Sequence, residues 1–184
     1  NTKLDASISK IEIDQKTYQN LTVNGIISNK KFDGIFVSQD PNMAFNFNGI
    51  LDISGKEPSL NLNSRIIRFD LQKLGITKES TVISCLASLN FRGNNIDKFL
   101  GEASLKNIIL HTKDNTLLVD SINLQSTYLN SEKLIQLKSS IADAEIKGKF
   151  NISDLSSAFQ PYLCHYLPHY IKMPNKNINE QFTK

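Results

Sequence analysis

Apolar and polar residues alternate with little interruption in the stretch "NMAFNFNGILDIS", residues 42–54. The odd-numbered positions form the apolar set, and Gly49 lies among them. On the even-numbered positions only Ile50 breaks the pattern. The apolar parity consists of Met43, Phe45, Phe47, Leu51 and Ile53. A period of two residues is typical of a β-strand whose faces differ. The pattern therefore predicts a long strand with one apolar and one polar face.

The same alternation recurs along most of the chain and predicts an all-β fold. It is clear in "LTVNGIIS", "TVISCLASLNF" and "TLLVDSINLQSTYL", which turn residues separate from one another. In "SLNLNSRIIRFDLQ" the apolar parity changes, which predicts a β-bulge near Arg65 to Ile67. A second change of parity, between Ile141 and Ala144, predicts another bulge or a corner.

Glycine recurs at a similar place in four strand-like stretches. Gly25, Gly49, Gly93 and Gly148 each follow an apolar strand residue by two positions, and so share its face. Glycine within a strand weakens it and usually marks a bend or a close approach of two backbones. The series predicts a sheet that curves at repeated positions.

The last part of the chain has a different period. From Leu155 to Ile171 the apolar residues recur at helical spacing, and Ser153 is a suitable first residue for a helix. Pro161 and Pro168 fall on the opposite, more polar side. Because proline interrupts a helix, we expect either a kinked helix or two short ones.

Three parts of the chain follow from these patterns. Residues 1–152 are predicted to form the sheet, 153–172 the helical segment, and 173–184 a loop or the start of a further strand. We expect the helix to lay its apolar stripe over the apolar face of the sheet or to plug one end. Because the chain begins without Met and enters a strand at once, we also expect it to be part of a longer protein.

Composition narrows the class of protein further. The 184 residues are 40% hydrophobic and 21% charged, which is ordinary for a chain with a folded core. The formal charge of +3 is small and scattered, which argues against nucleic-acid binding. No signal peptide and no apolar run of about 20 residues are visible. Cys85 and Cys164 are interpreted as buried thiols, although a bridge between them stays open.

Motifs for catalysis or metal binding are weak. His165 and His169 lie four residues apart beside Cys164, a spacing that metal ligands on a helix adopt. Pro168 interrupts that turn and no carboxylate is near in sequence, so we interpret both as surface histidines. Acidic pairs in strand-like segments are the usual pattern of an exposed strand face. We therefore predict no catalytic residue, no metal site, no cofactor and no enzymatic activity.

An apolar face of this kind is compatible with more than one architecture. In a β-sandwich or barrel the apolar faces of two sheets would seal each other. In a curved open sheet the apolar face would remain a groove for acyl chains. Long strands, glycines on the inner face and scarce helix favour the groove. A surface glycan-binding sandwich is a third reading, but it would need exposed Trp or Tyr platforms, and the chain has no Trp.

A family resemblance adds to this picture. The stretch "YQNLTVNGIISNKKFDGIFVSQDPNMAFNFNGILDISGKEPSLNLNSRI" resembles the TamB-type translocation and assembly module family, in the version found in Bacteroidetes. Its successive elements read Y-x-N-(I/L)-x-(V/L)-x-G, F-x-G-x-(F/L)-x-(I/V)-x-D-P-N and F-x-F-x-G-x-(I/L)-D-(I/L)-S. Further on, "NFRGNNIDKFLGEASLKN" and "SSIADAEIKGKFNISDLSSAF" with "YLPHYI" are similar to later elements of that family. The matching positions are Tyr18, Asn20, Leu21, Val23, Gly25, Phe32, Gly34, Phe36, Asp40 to Asn42, Phe45, Phe47, Gly49 and Leu51 to Ser54.

The resemblance implies a fold and a location. Proteins of this family and their AsmA-like relatives are expected to form a β-taco, a periplasmic half-pipe with an apolar lumen. They are thought to carry phospholipid from the inner to the outer membrane, and are also linked to the outer-membrane assembly machinery. The inner-membrane anchor of such a protein would lie outside this chain. The resemblance carries over no catalytic residue.

Two functional hypotheses follow. In the first, the chain is a lipid conduit whose trough is lined by Met43, Phe45, Phe47, Leu51, Ile53, Leu89, Phe91, Leu105, Leu124 and Ile146. In the second, it is a closed structural β-domain, a scaffold whose edges recruit outer-membrane assembly partners. The conduit predicts an open apolar face, whereas the closed domain predicts a sealed core.

Overall fold

A single antiparallel sheet of ten strands forms the described part of the protein, in a computed structural model that describes residues 1–154 apart from the Ile96 side chain. The strands lie in the order in which they occur along the chain, so each pairs only with its sequence neighbours, and the sheet is not closed. This confirms the predicted all-β class and the elongated, curved antiparallel sheet. The strands are β1 (Thr2–Ile13), β2 (Lys16–Ser28), β3 (Lys31–Asp40), β4 (Met43–Asp52), β5 (Ser59–Asp70), β6 (Thr81–Arg92), β7 (Leu100–Thr112), β8 (Thr116–Leu129), β9 (Glu132–Ser139) and β10 (Asp143–Gly148).

The chain divides into two compact units. The first, Asn1–Gly148, contains the whole sheet, and the second is Lys149–Lys184. Of the second unit, residues 152–154 are helical, and the Asn151 side-chain amide donates a hydrogen bond of 2.9 Å to the Asp154 carboxylate. The rest of the predicted helical segment lies outside the described residues. So do Cys164, both predicted surface histidines and the predicted segment 173–184.

Four pairs of neighbouring strands are joined by two residues, and three of these turns share one backbone conformation. Both residues have positive φ in the turns Asp14–Gln15, Asn29–Lys30 and Asn130–Ser131. Positive φ at both central residues defines the turn whose twist matches a β-hairpin, and Asn and Asp tolerate it better than most residues. These turns set the register of the hairpins.

The register places apolar and polar residues on opposite faces, because residues directly across from one another in a ladder share a face. The apolar face carries Leu4, Ala6, Ile8, Leu21, Val23, Ile27, Phe32, Phe36, Met43, Phe45, Phe47, Leu51, Leu60, Leu62, Ile66, Cys85, Ala87, Leu89, Phe91, Ala103, Leu105, Ile122, Leu124, Ile135, Leu137, Ala144 and Ile146. The polar face carries Asp5, Thr22, Asn24, Asp33, Asn46, Asn48, Asn61, Asn63, Arg65, Ser88, Asn90, Glu102, Ser104, Lys106, Asn123, Gln125, Gln136, Lys138 and Glu145.

Both predicted changes of parity occur, for different reasons. The pairing of β5 with β6 shifts between Ile66 and Phe69, which confirms the predicted bulge in this stretch. The second change is not a bulge. β9 ends at Ser139 and β10 begins at Asp143, so a short turn separates two strands there. Of the two alternatives that the sequence left open, a bulge or a corner, the structure excludes the bulge, because a short turn between two strands also resets the parity.

Glycines meet in a row across three strands, where neighbouring backbones approach closely. Gly34 lies opposite Gly25 on one side and Gly49 on the other. A Cβ atom at Gly49 would lie 2.1 Å from the backbone oxygen of Asn61, and one at Gly34 would lie 2.3 Å from that of Asn24. Because no side chain fits such an approach, glycine alone allows these strands to lie as they do.

The other two glycines of the predicted series end strands. Gly93 follows β6 with a φ of 141°, and Gly148 is the last residue of β10 with a φ of 152°. Both values lie in the region that only glycine adopts readily. These two positions therefore mark where strands stop, whereas Gly25 and Gly49 mark where neighbouring backbones approach closely.

Candidate functional site: the apolar face of the sheet

The ten residues predicted to line a groove fall on one side of the sheet. Nine lie in strands and belong to the apolar face by register. Ile53 comes just after β4 in the same parity, and its N–H donates a hydrogen bond of 3.0 Å to the Lys30 backbone oxygen. The apolar face thus extends from β1 to β10.

An aromatic cluster forms one part of this face. The rings of Phe45 and Phe47 stack with their centroids 3.9 Å apart and their planes at 19°. Phe36 and Phe69 meet the Phe45 ring edge-on, at 5.1 and 5.8 Å. Phe45 is only 2% exposed. Edge-on and stacked rings add stability beyond the burial of their surface, so this cluster fixes β3 to β5 on this face.

A second cluster lies further along the sheet. Cys85, Ile108 and Val119 are buried, from three consecutive strands. Burial raises the pKa of the Cys85 thiol, because the thiolate loses its water. The raised pKa favours the neutral thiol, and its burial confirms the interpretation of Cys85 as a buried thiol.

Several polar residues lie on the apolar face, and one of them, Ser64, has a buried side chain without a hydrogen-bond partner among the described residues. Ser64 pairs with Phe47 on one side and Ala87 on the other. Its Oγ is buried and has no hydrogen-bond partner. A buried hydroxyl without a partner destabilises a fold, because it has lost its hydrogen bonds to water.

Part of the apolar face is open to solvent. Ile27 and Leu51 are each 42% exposed, and Ile53 is 51% exposed. Ile27 and Leu51 both pair with Phe32, so they belong to one row across β2 to β4. A contiguous exposed apolar patch on a folded domain commonly marks a site for an apolar partner.

A loop at one end of the sheet reaches across two strands. Residues 71–80 connect β5 to β6. The ammonium group of Lys16, at the start of β2, donates a hydrogen bond of 2.5 Å to the Leu74 backbone oxygen in this loop. The contact therefore passes across the ends of β3 and β4, which lie between β2 and β5 in the sheet. Sequence alone gave no sign of it, because a bond between a side chain and a distant carbonyl leaves no periodic pattern.

Beneath this end lies a buried carboxylate. Asp40 is 1% exposed, and its oxygens accept hydrogen bonds of 2.8 Å from the backbone N–H groups of Gln19 and Asn42. Two backbone N–H donors thus provide the hydrogen bonds that a buried carboxyl group requires. In this structure the Asp-Pro-Asn segment therefore joins β2 to the turn between β3 and β4.

A second loop covers the apolar face at the opposite end. Residues 93–99 connect β6 to β7. The Ser126 hydroxyl donates a hydrogen bond of 2.8 Å to the Phe99 backbone oxygen, and the Lys133 ammonium donates one of 2.6 Å to that of Asp97. By register Ser126 and Lys133 belong to the apolar face of β8 and β9. The loop therefore lies on the apolar side of the sheet.

Lys133 is the buried charge of this region. The residue is only 3% exposed. Burial lowers the pKa of its ammonium group, and the charge of Asp97 partly offsets this effect. The ring of Phe91 meets that of Phe99, with centroids 4.0 Å apart. These contacts hold the loop against the sheet.

Clefts occur on the other face as well. Three open depressions of about 620, 460 and 210 Å³ are lined mainly by residues of the polar face. Of the predicted groove residues, Phe91 borders one and Leu124 another. A twisted sheet is saddle-shaped, so it is concave along one diagonal of each face. The parity of the sequence predicted the apolar face and missed these polar clefts.

The described residues show no arrangement for metal chemistry. Within residues 1–154, no group of three His, Cys, Asp or Glu side chains could hold a metal ion. The same part of the chain contains no helix with the length and apolar character that a bilayer crossing requires. Comparisons with protein-family models, with curated proteins and with solved structures find no match to this chain. The family resemblance therefore stays a prediction.

Proposed function

We propose that the apolar face binds the acyl chains of phospholipids, as a periplasmic segment of a bridge that carries lipid from the inner to the outer membrane. The observation that carries the proposal is the continuity of the apolar face across all ten strands, with an exposed patch at Ile27, Leu51 and Ile53. The membranes, the direction and a link to the outer-membrane assembly machinery come from the family resemblance.

The dimensions of the sheet suit this ligand. β2 has 13 residues and β8 has 14. At about 3.3 Å per residue such strands are about 43 to 46 Å long. Each acyl chain spans about 15 Å in a bilayer, half of the about 30 Å hydrocarbon core. A tail can therefore lie along or across the strands, with its headgroup left in water.

Weak, evenly distributed contacts would favour movement of the lipid. Burial of apolar surface contributes about 25 cal/mol per Å² wherever the tail lies on the face. No single residue needs to bind strongly, and a tail that moves from one strand to the next exchanges similar contacts. The role is thus one of binding and guidance rather than of catalysis.

Two neighbouring isoleucines of β2 allow a matched test. Ile27 lies on the apolar face and Ile26 on the polar face, with 42% and 50% of their surfaces exposed. We expect Ile27→Asp to weaken binding of phosphatidylethanolamine with a fluorescent acyl chain about tenfold, since a charge against a hydrocarbon tail must lose its water. Ile26→Asp should bind as the unchanged chain does. Equal binding by both variants would exclude the apolar face as the lipid site.

A scaffold role is the second candidate, and the open edges of the sheet favour it. β1 and β10 each pair with one strand only among the described residues. An unpaired edge can accept a strand from a partner protein. The two candidates separate in cells whose full-length protein carries Ile27→Asp. A conduit predicts loss of lipid transfer, whereas a scaffold predicts normal assembly of outer-membrane proteins despite lost lipid binding.

A further inference from the structure

An open cleft of about 620 Å³ crosses the polar face from β4 to β7, opposite the proposed lipid face. Its size lies within the range of about 300 to 1,000 Å³ that is usual for small-ligand sites. The polar side chains that line it are the amides of Asn46, Asn48 and Asn63 and the hydroxyls of Ser88 and Ser104.

These polar groups are available to a ligand. Within the described part of the chain, none of the five side chains forms a hydrogen bond. An amide carries both donors and acceptors, and a hydroxyl can act as either. A run of such side chains can therefore hydrogen-bond the hydroxyl groups of a saccharide, each of which also donates and accepts.

Two cations flank this patch. Arg65 and Lys106 line the cleft, and Leu86 lies between them in register, on the strand that separates theirs. Neither cation forms an ion pair among residues 1–154, and no carboxylate lines the cleft. Neighbouring strands lie about 5 Å apart, so each of the two side chains needs to reach across only one strand spacing to meet the other. Both can therefore contact one phosphate group.

The cleft continues along the sheet. Ser88 and Ser104 also line the adjoining depression of about 210 Å³, which extends to Asn123 and Lys138 and includes one carboxylate, that of Glu102. By register, one row of small polar side chains runs from Asn48 on β4 to Asn123 on β8 and ends at Lys138 on β9. Five strand spacings of about 4.8 Å make this row about 24 Å long. Such a length suits a chain of several sugar units rather than a single one.

We propose that the polar face binds a phosphorylated oligosaccharide. The phosphate lies between Arg65 and Lys106, and the sugar hydroxyls lie along the row of Asn and Ser side chains. Ile35 and Leu86, at the border of the cleft, contact the C–H faces of the rings. Single-stranded nucleic acid fits less well, because it requires aromatic platforms and none lines this cleft. The site is independent of the proposed lipid function, since it uses the opposite face.

Calorimetry on the 184-residue chain tests this site with four probes: maltotetraose phosphate, unphosphorylated maltotetraose, inorganic phosphate and vesicles of phosphatidylglycerol. The phosphorylated sugar should bind at least about tenfold more tightly than either the sugar or inorganic phosphate, because only it engages both halves of the site. Binding to the vesicles alone would overturn the proposal, since it would indicate an anionic membrane surface instead. Absence of binding to any probe would also overturn it.

Two double variants distinguish binding in this cleft from attraction to the net positive charge of the chain. Arg65→Gln with Lys106→Gln removes the two cations of the cleft, whereas Lys3→Gln with Lys113→Gln removes two exposed lysines that line neither depression. The first pair should weaken binding of the phosphorylated sugar at least about tenfold, since two charge-assisted hydrogen bonds are lost. The second pair should leave it unchanged. Equal losses in both would contradict the site. An unchanged melting temperature in each variant confirms that folding is intact.

Discussion

The ammonium group of Lys133, on β9, donates a hydrogen bond of 2.6 Å to the backbone oxygen of Asp97, in the loop before β7. The bond spans the intervening strand β8 and ties that loop to the apolar side of the sheet. Because Lys133 is buried, its charge is held with little water around it, and the pKa of the ammonium is lowered.

This buried lysine predicts a pH dependence of stability. Between the lowered folded-state pKa and the ordinary value of about 10.4, the unfolded chain binds more protons than the folded one, so the free energy of unfolding rises with pH. Lys133→Met lacks this contribution. Urea unfolding from about pH 8 to about pH 10 should show the unchanged chain gaining stability relative to the variant. A difference that stays constant with pH would contradict the lowered pKa.

The glycine row predicts a large difference between two identical substitutions. At Gly49 an added Cβ would meet the backbone of β5 at 2.1 Å, whereas at Gly55 the nearest atoms are 3.9 Å away. We expect Gly49→Ala to lower the free energy of unfolding by about 1 to 3 kcal/mol or more, because backbone must move to admit the methyl group. Gly55→Ala should change it by less than about 1 kcal/mol. Urea denaturation of both variants measures the contrast, and equal values would contradict the close approach of the β5 backbone to Gly49.

The aromatic cluster predicts which apolar residues hold the sheet together. Phe45 is 2% exposed and its ring contacts three others, so Phe45→Ala should destabilise the fold by about 3 to 5 kcal/mol. Ile53 lies on the same side but is 51% exposed. Ile53→Ala should therefore cost less than about 1 kcal/mol. Thermal unfolding followed by circular dichroism compares the two, and a larger loss at Ile53 would contradict the observed burial.

The unpaired hydroxyl predicts a substitution that stabilises the protein. Ser64→Ala removes a buried oxygen that has no hydrogen-bond partner and leaves the neighbouring Ala87 in contact with a methyl group. We expect the free energy of unfolding to rise by up to about 1 kcal/mol, since no hydrogen bond is lost and the burial of a polar atom is avoided. The exposed Ser88 serves as the control, and Ser88→Ala should be neutral. A loss of stability at Ser64 would show that its hydroxyl does have a partner.

Much of the fold could be predicted because each strand has one apolar face. In "NMAFNFNGILDIS" the alternation specified both the strand and the face on which Phe45 and Phe47 lie. The same logic found the bulge after Ile66, since an extra residue in a strand reverses the parity. At Ile141 it could not decide between a bulge and a corner, because a turn between two strands has the same effect on parity as a bulge.

The parts that could not be predicted depend on contacts between distant residues. Lys16 and Lys133 each bond a backbone oxygen in a remote loop, and a hydrogen bond of this kind imposes no residue type on its partner. The polar clefts were also missed, because Asn63, Ser88 and Ser104 read individually as ordinary exposed strand residues. Only the register shows that they form one row.

The simple order of the strands has a consequence for how such a protein can change over time. Because every described strand pairs only with its sequence neighbours, insertion or removal of one hairpin would lengthen or shorten the sheet without rerouting the chain. Each added pair of strands would extend both faces by about 10 Å. Growth of this kind would let evolution change the width of both faces one hairpin at a time.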